Sequence, residues 1–170
     1  MDAELAEPTA IIMIGGAVVC LAFASPRSTR DIDLWQNAEQ AFWEACARVD
    51  ARGNGVPVQV AAVAEAPYTF EDRLRELPLG LNKLRVLVPE AHDLAMMKIA
   101  RGDQRDLEAV EAIHQASPLV AETLLERFRE TEVTGRRQLF EIKLLDAIAR
   151  LFGEDRARAM EAELARSKEK

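Results

Sequence analysis

The 170 residues suit one domain with room for a helical appendage, and they can bury a core without metal or disulfide staples. Hydrophobic residues make up 49% and charged residues 30%, a soluble globular balance. The formal net charge of -7 disfavours nonspecific attachment to duplex DNA or an anionic membrane, while leaving room for a local basic cleft.

The chain starts acidic, "MDAELAEPTA", unlike a secretory signal, and no apolar run along it reaches membrane-spanning length. Residues 10–14, "AIIMI", read as a short buried strand that Gly15-Gly16 end. "AVVCLAF" has helix-compatible spacing, though its valines leave a strand open. Cys20 there and Cys46 later both sit in apolar surroundings, which reads as reduced core cysteines of a cytoplasmic protein. The loop "ASPRSTR" leads into a second strand at residues 31–35. "NAEQAFWEACARV" has the stripe of an amphipathic helix, Ala41, Phe42, Ala45, Cys46 and Val49, with Asn37 able to cap it.

"ARGNG" is a turn, and "VPVQVAAV" is strand-like, with Pro57 arguing for an edge or a strand start. Residues 64–82 carry no clear period and can hold a short helix, a strand or both. "KLRVLV" is a strand. Pro89 opens a helix, "EAHDLAMMKIARG", whose inner stripe includes Leu94, Met97 and Ile99 or Arg101; Gly102 breaks it. Asp103 restarts the next helix, with the Asp103/Asp106 pair placed to cap it. With only His92 and His114 as histidines and no cysteine pair at ligand spacing, a structural zinc site is not expected. A further helix runs to about Glu130, and a last one from about Arg136 into the 160s. The order predicts an α+β fold: a small mixed sheet backed by helices, with a helical C-terminal region. The expected division is a core over 1–116 and a helical extension over 117–170.

The chemistry concentrates at "SPRSTRDIDLW", residues 25–35. Side chains alternate along a strand, so Asp31 and Asp33 face one way, about 6–7 Å apart at their Cα atoms, while Ile32 and Leu34 face the core. Two like charges this close repel, and a divalent cation with hard oxygen ligands removes that cost. An Asp-x-Asp alone is more often a solvated strand edge. Here a Gly-Gly turn follows an apolar strand upstream, where bare backbone and a helix N-terminus can approach an anion. Ser25, Arg27, Ser28, Thr29 and Arg30 add candidate phosphate or sugar contacts.

"IMIGGAVVCLAFASPRSTRDIDLW" resembles the signature of the nucleotidyltransferase superfamily, the polymerase-beta-like fold, and within it the DUF6036 and AbiEii-type toxin-like bacterial proteins. "LRVLVPEAHDLAMMKIARGDQRDLEAVEAI" resembles a second block of the same group, so the likeness covers roughly residues 9–116. It implies that Gly15 and Gly16 hold the triphosphate of a nucleoside triphosphate and that Asp31 and Asp33 bind Mg2+ or Mn2+. It implies a phosphate contact for Lys98, and Asp106, with Arg105, as a supporting group close behind. The loop residues Ser28, Thr29 and Arg30 join the cofactor-binding set. The implied reaction is attack of an acceptor on the α-phosphorus with release of pyrophosphate.

One departure weakens catalysis. The superfamily places a third carboxylate on a later strand, and in "VPVQVAAV" the candidate position is Gln59; Glu65, Glu71 and Asp72 follow at unconvincing spacing. Three function classes stay open. The first is an Mg2+-dependent nucleotidyltransferase acting on RNA, a protein or a small molecule, in a toxin-like or defence role that the resemblance implies. The second is a weakened relative serving as a binding or regulatory protein, an antitoxin or a partner subunit. The third is a structural domain in which "LFEIKLLDAIARLF" mediates homo-oligomerisation or covers the sheet. Tyr68 can stack on a base. Arg127, Arg129, Arg136 and Arg137 read first as a solvated surface, and otherwise as the side of an RNA groove.

Overall fold

Strand β1 (Thr9–Ile14) is central to the first of two compact units, in a computed structural model that describes residues 1–23, 25, 28–61 and 65–168. All but one of its residues are buried, which is why this strand reads as a continuous apolar run rather than an alternation. Around it the sheet has the order β3-β2-β1-β5-β4, with β2 Ile32–Leu34, β3 Val58–Val60, β4 Arg75–Glu76 and β5 Leu84–Val88. β1 is parallel to β5 and antiparallel to β2, and β2 is parallel to β3. Mixed pairing and flanking helices make the architecture mixed α/β, as the pattern of elements predicts.

The first unit comprises Met1–Ala64 and Phe70–Glu90. Its helix α1 (Gly15–Ala22) follows β1 without a loop and packs on β1 and β2, which resolves the valine-rich stretch as helix. Helix α2 (Gln40–Asp50) buries Phe42, Ala45 and Cys46. The expected Asn37 cap is not made: its Oδ1 accepts the Trp43 indole N–H at 2.9 Å, and the helix starts after Glu39 instead. The unpatterned stretch holds a 3-10 turn, Phe70–Arg73, and the two-residue β4. Asp2 fastens the N-terminus to the sheet by accepting the backbone N–H groups of Asn82, Lys83 and Leu84 at 2.8–3.1 Å, and these bonds hold its carboxyl below the usual range.

The second unit, Glu65–Thr69 with Ala91–Lys170, is helical: α3 Ala91–Arg101, α4 Gln104–Ala116, α5 Ala121–Glu130, α6 Arg137–Phe152 and α7 Glu154–Lys168. α3 packs against α4, α5 and α6, and α6 also against α7. Being surrounded, α3 buries Leu94, Ala95, Met96, Lys98 and Ile99, whereas Met97 is half-buried and Arg101 exposed; the expected stripe is rotated accordingly. The last expected helix is two. Gly153, at φ +91°, ends α6, a conformation that costs a glycine little.

The basic run is largely exposed, with Arg129, Arg136 and Arg137 at the surface and Arg127 half-buried, yet several of these arginines are engaged within the chain. Arg127 pairs at 3.0 Å with the fully buried Asp93, and Arg129 pairs with Glu163 at 2.9 Å. Arg137 donates to the carbonyls of Phe128 and Thr131 and lies 3.8 Å over the Phe128 ring; burial pulls its pKa down. Arg136, the residue preceding α6, is exposed. Within residues 139–152, Phe140, Leu144, Ala147 and Ile148 are buried, while the apolar Leu139 and Ile142 are exposed.

Candidate functional site

The sheet register builds the site in the first unit. β1 and β2 run antiparallel with Ile14 opposite Asp33, so the residue after Ile14 must pass beside the Asp33 carboxylate. That residue is Gly15, at φ +79°. A Cβ there would stand 2.5 Å from Asp33 Oδ2, so the close approach excludes any side chain. A Cβ on Gly16 would stand 3.2 Å from the Thr29 hydroxyl, and Thr29 in turn donates to Asp31 Oδ1 at 3.1 Å. The Gly-Gly bend, Thr29 and both aspartates are therefore one cluster at the start of α1.

Asp31 lies just before β2 and Asp33 within it, both half-buried, and Leu34 is fully buried on the other side. One atom touches both acids: Gln59 Nε2, 3.3 Å from Asp31 Oδ2 and 2.9 Å from Asp33 Oδ1. β2 and β3 are parallel and in register, Asp33 opposite Gln59, which puts the amide beside the pair. Gln59 is thus the residue that β3 sets beside the two aspartates. Glu65 instead binds the Thr134 hydroxyl and backbone N–H, and Glu71 accepts the Trp35 indole N–H at 2.9 Å. Asp72 is exposed in the 3-10 turn.

Of the loop residues, Ser25 is buried, Ser28 and Arg30 are exposed, and Arg27 lies outside the described residues. Tyr68 is 85% exposed, in the second unit, with its backbone N–H on the Glu130 carbonyl.

Lys98, Arg105 and Asp106 belong to the second unit. Lys98 is not an exposed lysine: it is buried, with Nζ 3.3 Å from Asp106 Oδ1. Asp106, also buried, takes two bonds from Arg101 at 2.5 and 2.6 Å. Its backbone N–H is received by Asp103, the cap of α4. Arg105 is exposed. The sequence pattern offers Arg101 only as an alternative to Ile99 on the inner stripe and gives no sign of this pairing; the Gly102 break, at φ +64°, turns the chain and returns Asp106 towards Arg101. The buried Asp93–Arg127 pair had no signal at all, since its partners lie on separate helices.

The donors near the Gly-Gly bend are hard oxygens, with no thiolate or imidazole among them. Such a set suits Mg2+ or Mn2+, which bind through one or two carboxylates and complete their shells with water and substrate phosphate. Among the described residues no group of three His, Cys, Asp or Glu could hold a metal ion. Among the same residues no helix is long and apolar enough to cross a membrane.

No curated protein and no solved structure matches the chain. A family model described as "Nucleotidyltransferase of unknown function (DUF6036)" matches residues 2–144, from the N-terminal clamp on the sheet into α6. With most of its length matched and the Gly-Gly bend set against the aspartate pair, the chain belongs to the DUF6036 family of nucleotidyltransferases.

Proposed function

We propose that the protein is a Mg2+- or Mn2+-dependent nucleotidyltransferase that moves a nucleotidyl group from a nucleoside triphosphate to an RNA, protein or small-molecule acceptor. The observation that carries this reading is the contact of Gly15 with the Asp33 carboxylate. It unites a bend with bare backbone, where phosphate oxygens can meet the free N–H groups of α1, with two acids on one side of a strand. A divalent cation, when bound, supplies charge neutralisation to the triphosphate.

The chain's own residues do the rest. Asp31 and Asp33 would hold the cation, with Thr29 fixing the Asp31 carboxylate. Gly15 and Gly16 would admit the phosphates, and Ser28, Thr29 and Arg30 would contact them from the loop. The reading carries over a phosphate contact for Lys98; its ion pair with Asp106 supports an ammonium held in place, and Arg105 directly precedes Asp106 in sequence. The acceptor oxygen attacks the α-phosphorus, the bond from that phosphorus to the bridging oxygen breaks, and pyrophosphate leaves. The acceptor's proton passes to water. A toxin-like or defence role, a cognate partner protein and a cytoplasmic location are part of the same proposal, supported by the resemblance.

Incubation with each of the four α-labelled nucleoside triphosphates and total RNA or protein tests it. Label transfer by the natural chain, absent in the Asp31→Asn/Asp33→Asn variant, is expected. Equal labelling by both, or none by either, refutes transfer. A second reading, a nucleotide-binding regulatory protein, is favoured by Gln59 in place of a carboxylate, because an amide is a poor base and a weaker cation ligand. Tight nucleotide binding without transfer would establish it.

A further inference from the structure

Three of the four carboxylate oxygens of the aspartate pair take hydrogen bonds from the chain itself. Asp31 Oδ1 receives the Thr29 hydroxyl, and Asp33 Oδ2 lies against Gly15. The two remaining oxygens, Asp31 Oδ2 and Asp33 Oδ1, share the Gln59 amide. Ionised carboxylates only accept hydrogen bonds, so the amide must turn its NH2 group, the positive end of its dipole, to both. It stands where two like charges converge, which is the position in which a shared cation would lower the repulsion. A cation and the amide therefore compete for the same oxygens. Gln59 is on the edge strand and exposed, so its side chain can swing into water without opening the core.

We propose that Gln59 gates cation entry. Its amide satisfies the pair in the free protein and yields it when a divalent cation arrives with the triphosphate, whose phosphate oxygens add ligands that the protein lacks. A glutamate in this position would be a third ligand; the glutamine is a competitor. Cation alone then binds weakly, and cation with nucleotide binds more tightly. The inference rests on the transferase reading of the same site and adds its regulation.

Electron paramagnetic resonance of free Mn2+, titrated with the full chain with and without a non-hydrolysable nucleoside triphosphate, tests it apart from activity. Gln59→Ala should bind Mn2+ alone at least threefold tighter than the natural chain. It should also melt lower without metal and recover with Mn2+. Gln59→Asn, one methylene short of spanning both acids, should shift both readings in the same direction. Gln59→Ala affinity that is unchanged or weaker overturns the gate, a weaker value marking the amide oxygen as a ligand. If the natural chain binds Mn2+, Asp33→Asn does not, and Gln59→Ala equals the natural chain, the gate alone falls. If none binds with or without nucleotide, the gate and the transferase reading fall together.

Discussion

Replacing Asp106 by Asn keeps the side chain's shape and removes its charge, and the cost follows from what its partners can do next. The Arg101 side chain is 63% exposed and can recover its hydration, so its share of the loss is that of a surface pair, about 1 kcal/mol or less. The Lys98 side chain is 7% exposed beside an Asp106 that is 1% exposed, and its buried ammonium would lose this counter-charge. Breaking a buried pair from one side costs about 3–5 kcal/mol, so Asp106→Asn should destabilise by about 3 kcal/mol. For a chain of this size that lowers the melting temperature by roughly 6–12 °C. Urea titration followed by far-ultraviolet circular dichroism reports it, because the helices α3–α7 dominate that signal. Adding Lys98→Met should return part of the loss, since the buried charge that lost its counter-charge is then gone. A loss below about 1 kcal/mol in Asp106→Asn would refute the reasoning, showing a pair screened as if on the surface.

Gly15→Ala should lower the melting temperature and abolish Mn2+ binding. Its φ of +79° costs an L-residue about 1–2 kcal/mol, and the new methyl collides with Asp33. Gly16→Ala, with only the Thr29 hydroxyl to displace, should retain Mn2+ binding in the same titration; its loss would show that the bend as a whole, not Gly15, sets the site. The α4 cap gives a pH dependence. The Asp106 backbone N–H holds the Asp103 carboxyl below its usual 3.8, so the charged cap's contribution is complete above that value and is lost as pH falls through the lower folded pKa. The side chain is 57% exposed and screened, which keeps the cap to about 1 kcal/mol. Thermal melts against pH should therefore show a shallower acid decline in Asp103→Asn, which caps without titrating; parallel curves would contradict this.

Much of the fold was legible because strong local signals agreed with the tertiary outcome. β1 is an apolar run ended by glycine, and α4 carries its own cap at Asp103. The same held for the first acid pair, since period two in a strand places Asp31 and Asp33 together wherever the strand goes. What stayed illegible depended on register or distance. The meeting of Gln59 with both acids follows from β2–β3 pairing, which no local pattern fixes. Asn37 could have capped α2, but Trp43 offered a competing donor. The internal bonds of Arg127 and Arg137 were illegible because a charge run carries no mark of partners such as Asp93 and the carbonyls before α6. Gly153 lay in an otherwise continuous helical pattern, where its tolerance of φ +91° could not be told from a harmless glycine.

The short segment Glu65–Thr69 joins the helical unit from the middle of the other unit's sequence. It is stitched there by the Pro67–Thr131 bridge, the Tyr68 N–H on the Glu130 carbonyl and Glu65 on Thr134. The backbone therefore enters the helical unit, departs and comes back. A fragment beginning at Ala91 would lack that stitch, so neither half corresponds to one unbroken stretch of reading frame. Shuffling the helices onto another protein would mean transplanting the interruption as well, which ties the inheritance of one unit to that of the other.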